Sequence, residues 1–435
     1  MVGLGYVGQT LAVAFAMAGS SVVGLDTDSH VLREIEASRT TFYERGFEED
    51  LRRVREQNRF GVQHAREPLP KASNYVITVG TPLKNGRVDL DALEASFVSV
   101  VSQMPEDSLV VVRSTVSVGA SRAAMSKAVS RIGKRFKLAV APERTVEGIA
   151  LEELSDLPQI IGAVDEASAA AATGLFATLG VEVVRVSSLE AAEFAKLASN
   201  TARDLTFAIS NELAYLADEL NVDVYEAINA CNAGYPRANI APPGPVGGPC
   251  LTKDAIILAT STRAMERPSF ALAGRATNTY LTQHVLSRIA DQISAPPKVI
   301  GIIGLAFKGA PGTSDTRGSL ATDLACQAKA YWPETEVIGW DPVASMSEEM
   351  RTHVRATTLD TLVTQSKIVI LQTRSDYSAS PEMLRALERL PRDATIVDLW
   401  NQVPLEFRDR PDLTVLTLGR TSSAMNQEQK RALVA

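Results

Sequence analysis

Short apolar runs bounded by turn residues alternate with amphipathic stretches through the first third of the chain. Val22–Asp26 (VVGLD), Asn74–Pro82 (NYVITVGTP), Ser108–Val116 (SLVVVRSTV) and Lys137–Glu143 (KLAVAPE) carry apolar residues without polar alternation, as strands buried on both faces do. Helical periodicity intervenes, for example over Asp89–Gln103. Strand, helix, strand predicts a parallel sheet covered on both sides. The pattern changes at Leu189. From there to about Leu220 the chain has no Gly or Pro, and Phe194, Leu197, Ala198, Leu205, Ala208 and Ile209 recur at helical spacing, which predicts one long helix. A Pro and Gly cluster over Tyr235–Cys250 precedes more helical sequence to about Ile293, and Ala295, Pro296 and Pro297 break it. A second set of buried-strand runs follows at Val299–Phe307, Glu336–Asp341, Lys367–Thr373 and Thr395–Trp400. The expected class is α/β, with two parallel-sheet domains (residues 1–188 and 296–435) joined by a central all-helical domain (189–295) that contains the long helix.

Composition agrees with that organisation. At ~150 residues per domain, 435 residues suggest about three domains, and 45% apolar with 22% charged residues describes a packed chain rather than a disordered one. The 51 acidic residues outnumber the 44 basic ones, giving a net charge of −7 with no basic tract, so nucleic acid is not an expected partner. Cys231, Cys250 and Cys326 are too few and too irregularly placed for a disulfide framework or a thiolate zinc site, and the 4 histidines show no metal-ligand spacing. No metal is expected, and a reducing cytoplasm is the expected compartment. Leu11–Met17, followed by Ala18 and Gly19, imitates a secretion signal, but no Lys or Arg precedes Arg33. No run of ~20 apolar residues could span a bilayer.

Chemistry concentrates in three places. Gly3–Gly8 (GLGYVG) fits the glycine pattern of a dinucleotide turn, in which glycines permit a tight turn and close approach of the backbone to a pyrophosphate. An apolar helix follows from Thr10 to Ala18, and the next strand ends in Asp26, the position from which an acid accepts the ribose hydroxyls of NAD. This context raises the turn above a mere tight bend, and both sheet domains are expected to be Rossmann-like. Asp26 and Asp28 would repel a 2′-phosphate, so NAD is favoured over NADP. Only Met1 and Val2 precede Gly3, whereas a strand normally runs ~5–6 residues, so a shortened or late-assigned start is expected. The second place is Pro243–Asp254 (PGPVGGPCLTKD), where glycines allow close approach to Cys250, Lys253 can raise the thiolate fraction, and Asp254 can activate water. Cys231 and Cys326 are expected to be small buried residues. The third is the long helix, where Lys196, Asn200 and Asp204 recur every four residues on one face. They form either a solvated polar stripe or a site for an oxyanion.

Taken together, GLGYVG, TPL (Thr81–Leu83), RSTVSVG (Arg113–Gly119), APERTVEG (Ala141–Gly148), EAAEFAKLASNTARD (Glu190–Asp204), VGGPCLTKD and GLAFKGAPGTSDTRGS (Gly304–Ser319) resemble the UDP-glucose and UDP-N-acetylhexosamine 6-dehydrogenases. The likeness spans most of the chain in the family's order. It implies an NAD-binding domain, a central helical domain that makes a homodimer or higher homo-oligomer, and a C-terminal domain that helps bind the UDP-sugar. It also implies oxidation of a sugar C6 alcohol to a carboxylate with two NAD and no other cofactor. On this resemblance Cys250 is the nucleophile, Lys196 and Asn200 stabilise the oxyanion, Asp254 handles water, and Glu143 and Thr115 lie near the same chemistry. Gly3, Gly5, Tyr6, Val7, Gly8, Asp26, Thr81, Thr115, Glu143, Lys253 and Arg317 match coenzyme positions. Glu147, Lys196, Asn200, Gly247 and Lys308 match positions on the sugar side, and Arg237 matches a residue that reaches a neighbouring subunit's sugar site.

The chain departs from the family pattern at Val31, where a basic residue is common, at Pro249 before the nucleophile, and in TSDTRGS, which lacks the usual paired acids. Two other functions fit some of the same residues. One is a two-electron β-hydroxyacid dehydrogenase that uses Lys196 and Asn200 and leaves Cys250 idle, and the other is a nucleotide-sugar binder without catalysis. The loop YPRANIAPPGPVGG resembles the N-acetylhexosamine branch more than the glucose branch, which leans the substrate toward a UDP-N-acetylhexosamine.

Overall fold

The computed structural model describes residues 1–262 and 266–420. The described residues pack as two compact units, one from Met1–Asn200 and the described part of Lys253–Pro268, the other from Thr201–Thr252 and Ser269–Arg420.

In the first unit, strands run in the order Asn74–Ile77, Leu109–Val112, Lys137–Val140, Gln159–Ala163 and Val183–Val186. All neighbours are parallel except the antiparallel pair Lys137–Val140 and Gln159–Ala163. Val22–Asp26 pairs in parallel with Phe60–His64. Val2 joins these two parts by single parallel bridges to Leu25 and Ile77, so one residue stands where a first strand is expected. The lack of alternation in the apolar runs has a direct cause. Tyr75, Ile77, Val110 and Val112 enter one core while Val76, Leu109 and Val111 enter the other; successive side chains leave a strand on opposite faces, and both faces are covered here.

The second unit holds a six-stranded, all-parallel sheet in the order Arg355–Ala356, Glu336–Trp340, Val299–Ile303, Ile368–Leu371, Ala394–Asp398 and Leu413–Thr417. Ile300, Ile302, Ile368 and Ile370 pack with Leu281, Leu286 and Leu324 from the helices Phe270–Gln292 and Leu320–Tyr331. Ile303, Val369 and Leu371 fill the other face with Leu362 and Met383. The expected α/β architecture with two parallel-sheet regions is therefore present.

Leu189–Leu220 is one helix of 32 residues, with the bounds the sequence suggests. Leu189 and Ala192 enter the core of the first unit, and Ala214, Tyr215 and Ala217 that of the second. One expectation is corrected: Cys231 and Cys326 are exposed rather than buried, each lying on the solvent side of its helix. Of the apolar residues that mark the helical period, Phe194 and Ile209 are 50% and 58% exposed. Among the described residues no helix is long and apolar enough to cross a membrane.

Candidate active site

The glycine turn is closely determined. Gly3 has φ +92°, and a Cβ on Gly8 would lie 2.0 Å from the Gly3 carbonyl oxygen, so only glycine fits at either position. Helix Tyr6–Met17 starts at Gly5 with no side-chain cap and no acid in its first turn, which leaves its N–H groups and positive dipole end available to an anion. The Asp26 carboxylate accepts the Leu4 amide at 2.6 Å and the Asp28 amide at 2.9 Å. A carboxylate has about four acceptor positions, so capacity for ribose hydroxyls remains. The turn and its acid fit a dinucleotide.

A second cluster gathers in the same unit, at the ends of the strands. Thr81 donates its hydroxyl to the Thr115 carbonyl oxygen at 2.5 Å, and the Lys253 ammonium donates to the Thr81 carbonyl oxygen at 3.0 Å. Glu143 is held by Arg113 at 2.8 Å and by the amides of Arg144 and Thr145 at 2.7 and 2.9 Å. Burial pushes the Glu143 carboxyl up, but the Arg113 guanidinium and these hydrogen bonds outweigh it and hold the group below the usual carboxylate range. Glu143 is thus a fixed anion. Asn200 donates to Asp254 Oδ2 at 2.6 Å. Asp254 is fully buried, and its Oδ1 has no hydrogen-bond partner among the described residues. Burial raises the Asp254 carboxyl above its ordinary value, opposed by Lys196, Asn200 and Lys253. Lys196 is buried, and its charge acts on both Glu143 and Asp254. A buried ammonium, an amide and a carboxylate with a spare oxygen can stabilise an oxyanion and take a proton.

The Cys250 loop belongs to the second unit. A Cβ on Gly247 would lie 2.4 Å from the Gly318 carbonyl oxygen, and one on Gly248, at φ +92°, would lie 2.5 Å from the Phe307 ring. The Gly248 amide donates to Gly318 at 3.0 Å, and Asn211 exchanges hydrogen bonds with Gly244 at 2.9 and 3.1 Å. The loop is therefore pinned along its length, while Cys250 itself is exposed immediately before helix Leu251–Thr260. The even spacing of Lys196, Asn200 and Asp204 does not make a single group. Asp204 pairs with Arg275 at 2.7 Å and with Asn278 at 2.8 Å within the second unit. Arg237 is exposed and stacks over Tyr235 at 4.7 Å, Lys308 donates to the Pro311 carbonyl oxygen at 2.8 Å, and Arg317 pairs with Asp315 at 2.6 Å.

Residues 1–180 match the NAD-binding domain of the UDP-glucose/GDP-mannose dehydrogenase family, and residues 190–280 match its central domain. The chain belongs to this family. A UDP-N-acetyl-D-mannosamine dehydrogenase of Pyrococcus horikoshii is 33% identical over 332 residues, 74% of this chain and 78% of that protein. Among solved structures, a UDP-D-ManNAc dehydrogenase from Pyrococcus horikoshii superposes with a TM-score of 0.85 at 28% identity, covering 96% of this chain and 98% of the other. A UDP-glucose dehydrogenase from Pyrobaculum islandicum gives 0.83 at 26% identity, with 97% of each chain covered. This member of the UDP-glucose/GDP-mannose dehydrogenases is an NAD-dependent oxidoreductase.

For this dehydrogenase, sequence reasoning overlooked Arg113 and Glu44. Arg113 is almost fully buried and also bonds Gln159 at 2.8 Å. A lone charge inside the apolar run SLVVVRSTV was its visible signal. Glu44 carried no such mark.

Proposed function

We propose that this dehydrogenase oxidises the C6 alcohol of a UDP-N-acetylhexosamine to the uronate in two NAD-dependent two-electron steps, by way of a thiohemiacetal and a thioester on Cys250. NAD, held at Gly3–Gly8 and Asp26, would supply the acceptor for the hydride released in each step. The alcohol proton passes to solvent water as the first hydride goes, giving the aldehyde. The Cys250 thiolate then adds to the carbonyl carbon, and Lys196 with Asn200 stabilises the oxyanion that forms. Loss of the second hydride gives the thioester, and water that has passed a proton to Asp254 attacks it and releases the Cys250 thiolate. The observation that supports this reading is the buried Lys196–Asn200–Asp254 group, whose carboxylate keeps one oxygen without a hydrogen-bond partner among the described residues.

The remaining assignments belong to the same proposal. Gly3, Gly5, Tyr6, Val7, Gly8, Asp26, Thr81, Thr115, Glu143, Lys253 and Arg317 serve the coenzyme, and Glu147, Gly247, Lys308 and Arg237 serve the sugar. The three-part division at 189 and 296 and a cytoplasmic location go with them. A homodimer is supported by Thr206, Ile209, Leu216 and Leu220, which line one exposed, mostly apolar side of the long helix. The N-acetylhexosamine preference is supported by the 235–248 loop and by the substrate named for the Pyrococcus relative.

A panel of UDP-sugars assayed for NADH tests the reading. Two NADH per sugar with a carboxylate product supports it, and one NADH with a ketone overturns it. Cys250→Ala should abolish turnover or stop it at the aldehyde. Because burial raises Asp254, kcat/KM should begin to fall on acidification at a pH above the ordinary carboxylate range.

A further inference from the structure

The loop that follows Glu143 has no regular structure, yet its amides are bound one after another by carboxylates. Arg144 and Thr145 donate to Glu143 Oε1, Val146 donates to Glu153 Oε2 at 2.6 Å, and Gly148 donates to Glu44 Oε2 at 2.7 Å. Two of the three carboxylates are local. Glu44 comes from a segment more than a hundred residues earlier, and it does more than hold Gly148. Its Oε1 accepts the Leu151 amide at 3.2 Å, and its Oε2 also accepts the hydroxyl of Tyr6. Gly148 donates to the Tyr6 hydroxyl oxygen at 3.1 Å as well. The Arg45 amide donates to the Gly148 carbonyl oxygen at 3.3 Å, and the Tyr6 ring packs edge-on to Phe42 at 4.8 Å. Glu44 is 6% exposed. Tyr6 is the first residue of the dinucleotide helix, and Glu147 is the residue just before Gly148.

We infer that Glu44, acting with the Tyr6 hydroxyl, is a positioning residue that ties the Glu147 loop to the first turn of the coenzyme helix and so sets the affinity for the nucleotide sugar. This rests on the functional reading above, which places Glu147 on the sugar side. The chemistry is strict. Both carboxylate oxygens of Glu44 accept backbone N–H groups, so an amide of the same shape must turn its NH2 toward one donor whichever way it faces. The hydrogen-bond partners of the Glu44 carboxylate, the Tyr6 hydroxyl and the Gly148 and Leu151 amides, include no residue assigned above to the chemical step, so its removal should act on ground-state placement of the sugar more than on that step.

The test uses the full-length enzyme with UDP-N-acetyl-D-mannosamine and NAD. Glu44→Gln should raise KM for the sugar about tenfold while kcat falls less than about threefold and the dissociation constant for NAD stays within about threefold. Tyr6→Phe, which keeps the ring on Phe42, should raise the same KM, and adding it to Glu44→Gln should cost little more, since the two act as one unit. Parallel losses in kcat, sugar KM and NAD affinity with a lowered Tm would show a merely structural role and overturn the inference, as would additive effects in the double variant. Should Glu44→Gln fail to fold, Tyr6→Phe decides alone: an unchanged sugar KM refutes the tie. If the wild-type protein oxidises no UDP-sugar in the panel, the functional reading fails first and this inference falls with it.

Discussion

The two Rossmann-like regions open with the same local device and put it to different uses. In the first, Gly3 turns at φ +92° and the Leu4 amide donates to Asp26 at the end of the next strand, at 2.6 Å. In the second, Gly304 turns at φ +91° and the Leu305 amide donates to Asp341 in the same way, at 2.7 Å. They part at what is left unsatisfied. Asp26 takes two backbone amides, whereas Asp341 takes four, from Leu305, Ala306, Val343 and Ala344. The helix after the first turn begins at Tyr6 without a cap or an acid, while in the second region the chain runs on to Ser319, which caps helix Leu320–Tyr331 ahead of Asp323 in its first turn. A glycine turn with an acid is thus common to both. A site for an anion and a ribose requires donors and acceptors that the protein has not already spent on itself.

Six substitutions press on that contrast. Each region buries an ion pair, Arg113–Glu143 and Arg408–Asp398. Arg113→Met should cost about 3–5 kcal/mol in urea unfolding and lower NADH formation, whereas Arg408→Met should cost stability alone. The Glu143 carboxyl is depressed in the folded state, so the stability it contributes is present above its unfolded pKa and is lost as pH falls through the native value. Arg113→Met should erase that acid-range step. Next in size, Gly8→Ala, which drives a Cβ into the Gly3 carbonyl, should weaken NAD binding by about a hundredfold, ~2.7 kcal/mol, by calorimetry. Asp26→Asn should weaken it about tenfold. Asp341→Asn should leave NAD affinity unchanged and cost about 2 kcal/mol of stability as backbone amides lose their acceptor. An effect of Asp341→Asn on NAD would break the comparison. Smallest, Ser319→Ala should cost about 1 kcal/mol in thermal unfolding.

Much of this architecture can be read from the chain because burial on both strand faces writes itself as unbroken apolar runs, and because 32 residues without Gly or Pro leave the long helix few alternatives. Other elements left no such imprint. Phe60–His64 and Val183–Val186 carry polar residues and are only partly buried, so they lack the run that marked their neighbours. The antiparallel Gln159–Ala163 pairing comes from the path of the chain rather than from its composition. At the site, the glycine turn and Asp26 were legible because their spacing is fixed by one strand–helix–strand unit. The split of Asp204 from Lys196 and Asn200 was not, since helical spacing shows a shared face but not which part of the protein covers it. Glu44 was hidden for the same reason, its partners Tyr6 and Gly148 being 38 and 104 residues away.

The bare start of helix Tyr6–Met17 has a consequence for how this enzyme behaves without its coenzyme. No side chain caps its leading amides, so on the reading proposed above NAD would do for that helix what Ser319 does permanently for Leu320–Tyr331. The coenzyme would in that sense be a detachable piece of secondary structure, and raising its concentration should raise the resistance of the first unit to unfolding.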